Sequence, residues 1–360
     1  MKKIQYLILA LTLSLVTNGF SQNKYQKEIK KATITAKKFL NSQRIPGMAI
    51  SISKNNELIW SQGFGYADIK NKKKVISDTT LFRIASISKT FTAVALAKLV
   101  DENKMDFDAS LYEYVPNFPK KKYDFTIRQT AAHLAGIRHY NGKEFSLNKK
   151  MSIVEGLDAF KDSPLLFEPG TRYSYSTYGY NLLSVAIQNA SEISYNNYME
   201  QNIFNPLKMS NTQLDASNKE IKNTTKFYLK RKEKIIFATT VSNEFKAAGG
   251  GFLSTSEDLI LFGNEFIHPT IISENSLSEL VTPLKPIMGK SNNYGIGIKI
   301  SKTKKKNVRY SHSGGGVGAT TYLLIYPEKE IVITILTNLS GVKMLKFTRD
   351  LERIFVDYSI

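Results

Sequence analysis

The chain has no cysteine, a single tryptophan, four histidines and a shortage of acid. Without cysteine there is no disulfide scaffold, no thiolate zinc or iron–sulfur site and no cysteine nucleophile. His133, His139, His268 and His312 are too few and too scattered for a zinc hydrolase, and no His-Glu-x-x-His occurs. Neither a metal nor an organic cofactor is expected. There is also no Gly-x-Ser-x-Gly elbow, which disfavours an α/β-hydrolase. Lys and Arg number 50 against 31 Asp and Glu, a formal charge of +19. The basic residues gather at Lys70 to Lys74, Lys120 to Lys122 and Lys302 to Lys306, in turn-like stretches without interleaved aromatics. They read as solvated turns; the sharper reading is attraction to an anionic envelope surface. No nucleic-acid-binding motif accompanies them, so no nucleic-acid partner is expected.

What is present is an ordinary globular composition: 360 residues, 42% hydrophobic and 11% aromatic, enough for one large domain or two interleaved ones. Met1-Lys2-Lys3 precedes a largely apolar run, Ile4 to Val16, and Gly19 and Ser21 supply small residues before Gln22. A short basic start, an apolar run below the roughly 20 residues of a membrane span, and a small-residue site describe a secretory signal peptide over residues 1–21. No later segment is apolar enough to span a bilayer. The expectation is an exported protein, periplasmic or secreted in a bacterium, with no stable membrane anchor.

Residues 24–43 carry apolar positions at helical spacing. Residues 47–53 and 58–66 read as a hairpin turning at Lys54 to Glu57. Tyr294 to Ile300, Val308 to Ser311, Thr320 to Tyr326 and Ile331 to Thr337 read as further strands, and Met344 to Val356 as a closing helix. Strands lie at both ends and helix signals between them. The fold class is therefore α+β: an antiparallel sheet flanked by helices and built from both termini (residues 22–110 plus 241–360), with a mostly helical domain (111–240) inserted. Sites commonly form in clefts between such parts.

Gly289-Lys290-Ser291 resembles the end of a phosphate loop, but Leu284 stands where its first glycine belongs. Gly314 to Ala319 superficially fits a dinucleotide-binding loop, but a strand pattern follows where a helix is required. Ser-x-x-Lys is the remaining candidate. It begins at Ser21, Ser51, Ser86, Ser146, Ser301 and Ser340, and only Ser86-Ile87-Ser88-Lys89 opens a long apolar helix. There positions i and i+3 share a face, so the Lys89 amine reaches the Ser86 hydroxyl. The helix start favours a developing oxyanion, and a desolvated lysine can give up its proton and act as base.

Around that motif the sequence resembles the serine β-lactamase and penicillin-binding-protein superfamily, in its class C β-lactamase-like branch. Phe82 to Lys89 resembles the first motif and Thr126 to Ile137 a structural segment. Pro169 to Tyr180 resembles the second-motif region and Ala248 to Leu259 the glycine-rich turn and helix start. His312-Ser313-Gly314 stands at the third motif. The resemblance implies a β-lactamase/transpeptidase-like fold and an acyl-enzyme mechanism: Ser86 as nucleophile, Lys89 and Tyr175 handling its proton, and the backbone N–H groups of Ser86 and Gly315 as oxyanion hole. Thr177, His312, Ser313 and Gly314 are the implied substrate contacts. Tyr175 needs a neighbouring cation to serve as base, which Lys89 is expected to supply; His133 is expected to be structural.

Two departures bear on substrate. Thr177 replaces the asparagine of the second motif and His312 the lysine of the third. A hydroxyl cannot both donate and accept as a carboxamide does, and a neutral imidazole is a poorer carboxylate partner than an ammonium. Tyr-Ser-Thr with His-x-Gly is similar to the mitochondrial β-lactamase-like serine proteases, and the His-x-Gly alone resembles that of DD-peptidase-like serine hydrolases and D-amino-acid peptidases of the superfamily. The sequence is thus identified as an exported serine hydrolase acting on a peptide, amide or ester substrate. The alternatives are a true class C-like β-lactamase and a catalytically silent binding protein for cell-wall peptides. Nothing in the sequence specifies an oligomeric state.

Overall fold

The computed structural model describes residues 24–216, 220–289 and 293–357. The expected signal segment, residues 1–21, lies outside them. The main sheet has β1 (Gly47–Lys54), β2 (Glu57–Asp68), β3 (Lys73–Lys74), β4 (Lys299–Lys302), β5 (Val308–Gly316), β6 (Ala319–Tyr326) and β7 (Ile331–Thr337). Its order is β3-β2-β1-β7-β6-β5-β4, antiparallel throughout. The β1–β2 hairpin turns on Asn55 and Asn56, both at positive φ, which asparagine tolerates better than most side chains. β1 then pairs with the last strand, Ile52 opposite Ile333 and Met48 opposite Thr337, so the two ends of the chain close the sheet.

β1 and β7 are central and covered on both faces, which explains why Ile331 to Leu336 is an almost unbroken apolar run. The longer helices are α1 (Gln26–Gln43), α2 (Ser88–Asp101), α3 (Thr177–Ser191), α4 (Ser256–Asn264), α5 (Glu274–Val281) and α6 (Leu345–Phe355). α1 and α6 cover one face, with Phe39 stacked on Phe347 at 4.2 Å and Trp60 on Phe355 at 6.2 Å. α4 packs on the other face. There the polar residues within the strands find partners: Ser51 Oγ donates to Ser256 Oγ (2.8 Å) and Thr334 Oγ1 to the Ser256 carbonyl (2.8 Å). Beneath α4 lies α2, buried around nearly its whole circumference, as its all-round apolar sequence requires. It packs against α3 and α5.

Within 111–240, α3 is accompanied by short helical turns and one hairpin, Tyr228–Arg231 with Lys234–Phe237. That hairpin is a separate two-stranded sheet tethered beyond the end of β7, where the Tyr228 N–H donates to the Asn338 carbonyl (2.9 Å). Tyr294 to Ile300, expected as a strand, is mostly a bend: Tyr294 makes an isolated bridge to Lys299, and only Lys299–Lys302 joins the sheet. Gly297 sits there at φ 72°, and a Cβ on it would come within 2.5 Å of Ala93 Cβ and 2.8 Å of the Lys89 carbonyl. The bend exists to lie against α2, one turn from the candidate chemistry.

Candidate active site

The Ser86 turn is delivered by a short strand, Phe82–Arg83, paired with Phe252–Ser254. Ala85 then adopts φ 48°, a left-handed conformation that costs an alanine about 1–2 kcal/mol. The surroundings hold it. The Ile84 N–H donates to the Phe252 carbonyl (3.1 Å), and the Ile84 carbonyl accepts from Thr321 Oγ1 on β6 (2.9 Å). A single 3₁₀ turn, Ala85–Ile87, leads into α2, so Ser86 lies at the helix entrance with Lys89 one turn along. β5 approaches this turn closely. A Cβ on Gly314 would fall 2.1 Å from Thr321 Oγ1 and 2.3 Å from the Ile84 carbonyl, so only glycine permits the approach.

Lys89 is fully buried. Its Nζ lies 3.3 Å from Ser86 Oγ and 3.2 Å from Thr177 Oγ1, and it donates to the Gly249 carbonyl. No carboxylate forms an ion pair with it among the described residues, and burial holds its pKa well below the ordinary 10.5. Ser86, Thr177 and Gly249 each offer Nζ an oxygen acceptor, one for each N–H of an ammonium; as an amine, Lys89 would keep two of these contacts and turn its lone pair to the Ser86 hydroxyl.

Tyr175 also reaches Ser86, its phenol hydrogen-bonded to the Ser86 hydroxyl. Burial raises its pKa above the ordinary 10, and the Ser86 contact offsets this only in part. Lys89 Nζ stands over the Tyr175 ring, 4.9 Å from the centroid, where an ammonium would meet the π-face. Burial lowers the pKa of the amine and raises that of the phenol, so it draws both towards neutrality.

Three histidines surround this pair. His133 Nδ1 accepts from the Ser176 N–H (3.1 Å) and packs against the Tyr175 ring at 4.3 Å, holding the second motif in place. His139 Nδ1 accepts from the Thr177 N–H (3.1 Å); burial, then Lys89, brings its pKa to about 4. His312 was expected to contact substrate, but its imidazole is turned inward and 6% exposed. Its Nδ1–H donates to the Ser313 carbonyl (2.8 Å) and its Nε2 accepts from the Tyr294 hydroxyl (2.8 Å). Burial, then Lys89, lowers its pKa to about 3. The alternation of β5 is the reason: residues 312 and 314 face in, while Ser313 and Gly315 face out.

β5 loses its β4 partner beyond Ser311, so the 312–316 edge is open. That edge forms one wall of a cleft of about 170 Å³, lined by Ser86, Tyr175, Thr177, Gly249 and Gly315 together with His139, Tyr140 and Phe145. Ser86, Lys89, Tyr175 and Thr177 are thus brought together, with Gly315 across the opening. Arg83, Asn243 and Lys246 also line the cleft and escaped the sequence reading. Lys246 had a signal, a charged residue at the head of the apolar run Ala247 to Leu253; Arg83 stood in plain view three residues before Ser86. Larger cavities elsewhere carry none of this chemistry.

The family model for Beta-lactamase matches residues 33–355. The chain belongs to the beta-lactamase family. It is 30% identical to the human serine beta-lactamase-like protein LACTB, mitochondrial, over 82% of this chain and 74% of that protein. Among solved structures, the octameric penicillin-binding protein homologue from Pyrococcus abyssi superposes with a TM-score of 0.77 at 24% identity, covering 91% of this chain and 79% of that one. A class C beta-lactamase gives 0.78 at 17% identity, covering 94% and 98%. At those identities the structural likenesses speak for the fold. The chain is a mixed α and β protein with a large antiparallel sheet, as expected from its sequence, in a family of serine-hydrolase type. Among the described residues no helix is long and apolar enough to cross a membrane.

Proposed function

We propose that the protein is an exported serine hydrolase that forms an acyl-enzyme on Ser86 and acts on peptides, amides or esters rather than on β-lactams. The observation that carries this reading is the buried, carboxylate-free Lys89 amine within 3.3 Å of Ser86 Oγ. Lys89 takes the hydroxyl proton as Ser86 Oγ attacks the substrate carbonyl carbon. The backbone N–H groups of Ser86 and Gly315 receive the oxyanion. Tyr175, neutral at rest, relays the proton to the departing amine or alcohol. Water then cleaves the acyl-enzyme with the same groups acting in reverse. β-Lactams are disfavoured because their carboxylate wants a cation at the third motif, where His312 is neutral and turned inward.

The test is covalent labelling with a fluorophosphonate, read by intact mass and peptide mapping. Stoichiometric adduct on Ser86, absent from a folded Ser86→Ala variant, is the expected result. Failure to label, combined with reversible binding of peptide or penicillin, overturns the enzyme reading in favour of a silent binding protein. Efficient nitrocefin turnover overturns the exclusion of β-lactams.

A further inference from the structure

The cleft contains a cation that the proposed chemistry does not use. Lys246 is 5% exposed, yet its side chain lines the cleft that holds Ser86. It begins the short turn Ala247–Gly250, whose Gly249 carbonyl holds Lys89 and whose Gly250 lies against Ala85. Its Nζ donates one N–H to the Phe145 carbonyl (3.0 Å) and stands about 5.5 Å from the ring centres of Tyr140 and Phe245. No carboxylate forms an ion pair with it among the described residues. The acid whose charge it senses, Asp215, is already engaged by Arg83 Nε (2.7 Å) and by the Asn243 amide. Arg83 also donates to the Val317 carbonyl (2.9 Å), so its charge is spoken for. An ammonium has three N–H groups. Desolvating one without a carboxylate partner is costly, and most proteins avoid it.

Resting on the hydrolase reading above, we infer that Lys246 is the anion-recognition residue of the cleft and that the substrate carries a free carboxylate, bound there while its scissile carbonyl lies at Ser86. The third-motif imidazole is turned away from the cleft, and the Arg83 guanidinium is neutralised by Asp215. Among the described residues that line the cleft, that leaves the Lys246 ammonium as the charge without a carboxylate partner. Its burial is costly in the free protein and is offset when a carboxylate enters. Aromatic neighbours exclude water around it, which strengthens the pairing.

The groups around Lys246 set the expected pH behaviour. Burial and the Arg83 charge lower its pKa, Asp215 opposes them, and the outcome is about 8. Of the other titratable side chains in the cleft, His139 loses its charge far below that, at about 4, and burial raises both Tyr140 and Tyr175 above 10. Lys246 is charged below pH 8 and neutral above it. Recognition of a carboxylate is therefore present at neutral pH and fades as pH rises through 8, while a neutral substrate feels no such limb.

The experiment uses matched esters. On the acyl side they are the p-nitrophenyl monoesters of succinic, glutaric and adipic acids; on the leaving-group side, acetylated 4-hydroxybenzoate. Each is paired with its methyl-capped neutral counterpart. The kcat/KM ratio of charged to neutral substrate is measured from pH 6 to 9.5 in the wild type, Lys246→Met and Lys246→Arg. At least one charged ester should be preferred at pH 7, chiefly through KM. The preference should fall about tenfold to hundredfold in Lys246→Met, the range of one charge-assisted contact. Lys246→Arg should keep it and lose the limb near pH 8. Circular dichroism confirms that each variant is folded. If the wild type turns over both members of every pair with no charge preference, or if the preference survives Lys246→Met, this inference is overturned and the hydrolase reading stands. If neither member of any pair is turned over, both fall together.

Discussion

Lys89 shows how a single residue is given its chemistry by its surroundings. Free lysine is a cation at neutral pH; at the entrance of a helix buried on all sides, with only neutral acceptors to hand, it is driven towards the amine. If that amine is the base of the proposed mechanism, kcat/KM falls on the acid side as Lys89 becomes protonated, and the limb lies below 10.5. His139 and His312, with pKa values of about 4 and 3, are already neutral at pH 6 and are not its source. A pH–rate profile with a neutral ester should therefore keep its acid limb in His139→Gln, while Lys89→Arg, whose guanidinium does not give up its proton, should lose turnover by orders of magnitude. An acid limb that disappears in His139→Gln would transfer the role to that histidine. The inward turn of His312 decides what a third-motif exchange would do. His312→Lys would bury a second amine in the polar layer beneath the cleft, near Lys89, rather than offer a cation to a substrate.

At the scale of elements, the site is a meeting of the α2 entrance, the α3 entrance, the Ala247–Gly250 turn and the open edge of β5. Much of this was legible in the sequence because each piece has its own local signature. Ser86-x-x-Lys89 precedes an apolar helix, Pro169 to Tyr180 carries the second-motif region that leads into α3, and a glycine run marks β5. Which way a strand residue faces was not legible from the motif alone. His312 and Ser313 are adjacent, and a one-residue change of phase exchanges cleft for core. The Tyr294 to Ile300 bend was misread for a related reason. Its alternation is real, but Gly297 turns it against α2. The two neighbouring glycines of β5 give a sharp test of this geometry. A methyl group on Gly314 meets Thr321 and the Ile84 carbonyl at just over 2 Å, so Gly314→Ala must part β5 from the Ser86 turn; a methyl group on Gly315 meets nothing within 4 Å. Gly314→Ala should cost about 1–3 kcal/mol by overpacking and slow fluorophosphonate labelling; Gly315→Ala should stay within about 0.5 kcal/mol. Chemical denaturation of both variants measures the contrast, and equal losses would mean that β5 does not seat against the turn as described.

On the scale of the whole molecule, the sheet separates two apolar layers with different duties. The layer that contains α2, α3 and α4 surrounds the cleft residues, whereas the layer under α1 and α6 contains none of them. Because β1 and β7 come from opposite ends of the chain, the second layer cannot form until nearly all residues are present, and α6 is the last piece to seal it. The sequence carried this arrangement in its pattern of strands at both ends, while the depth of each layer depended on contacts between distant residues that no local pattern encodes. Phe347 is the natural probe. It is buried, stacked on Phe39 at 4.2 Å, and lies across the sheet from Ser86. Phe347→Ala should remove about 3–5 kcal/mol through lost burial and the cavity left behind, a large part of the typical 5–15 kcal/mol total, and lower Tm by several degrees. At a temperature where the variant remains folded, its rate of covalent labelling at Ser86 should match the wild type, since the central strands between the layers are pinned on the other side by Ser51, Ser256 and Thr334. A labelling rate that falls in step with stability would show instead that the terminal helices and the cleft act as one unit.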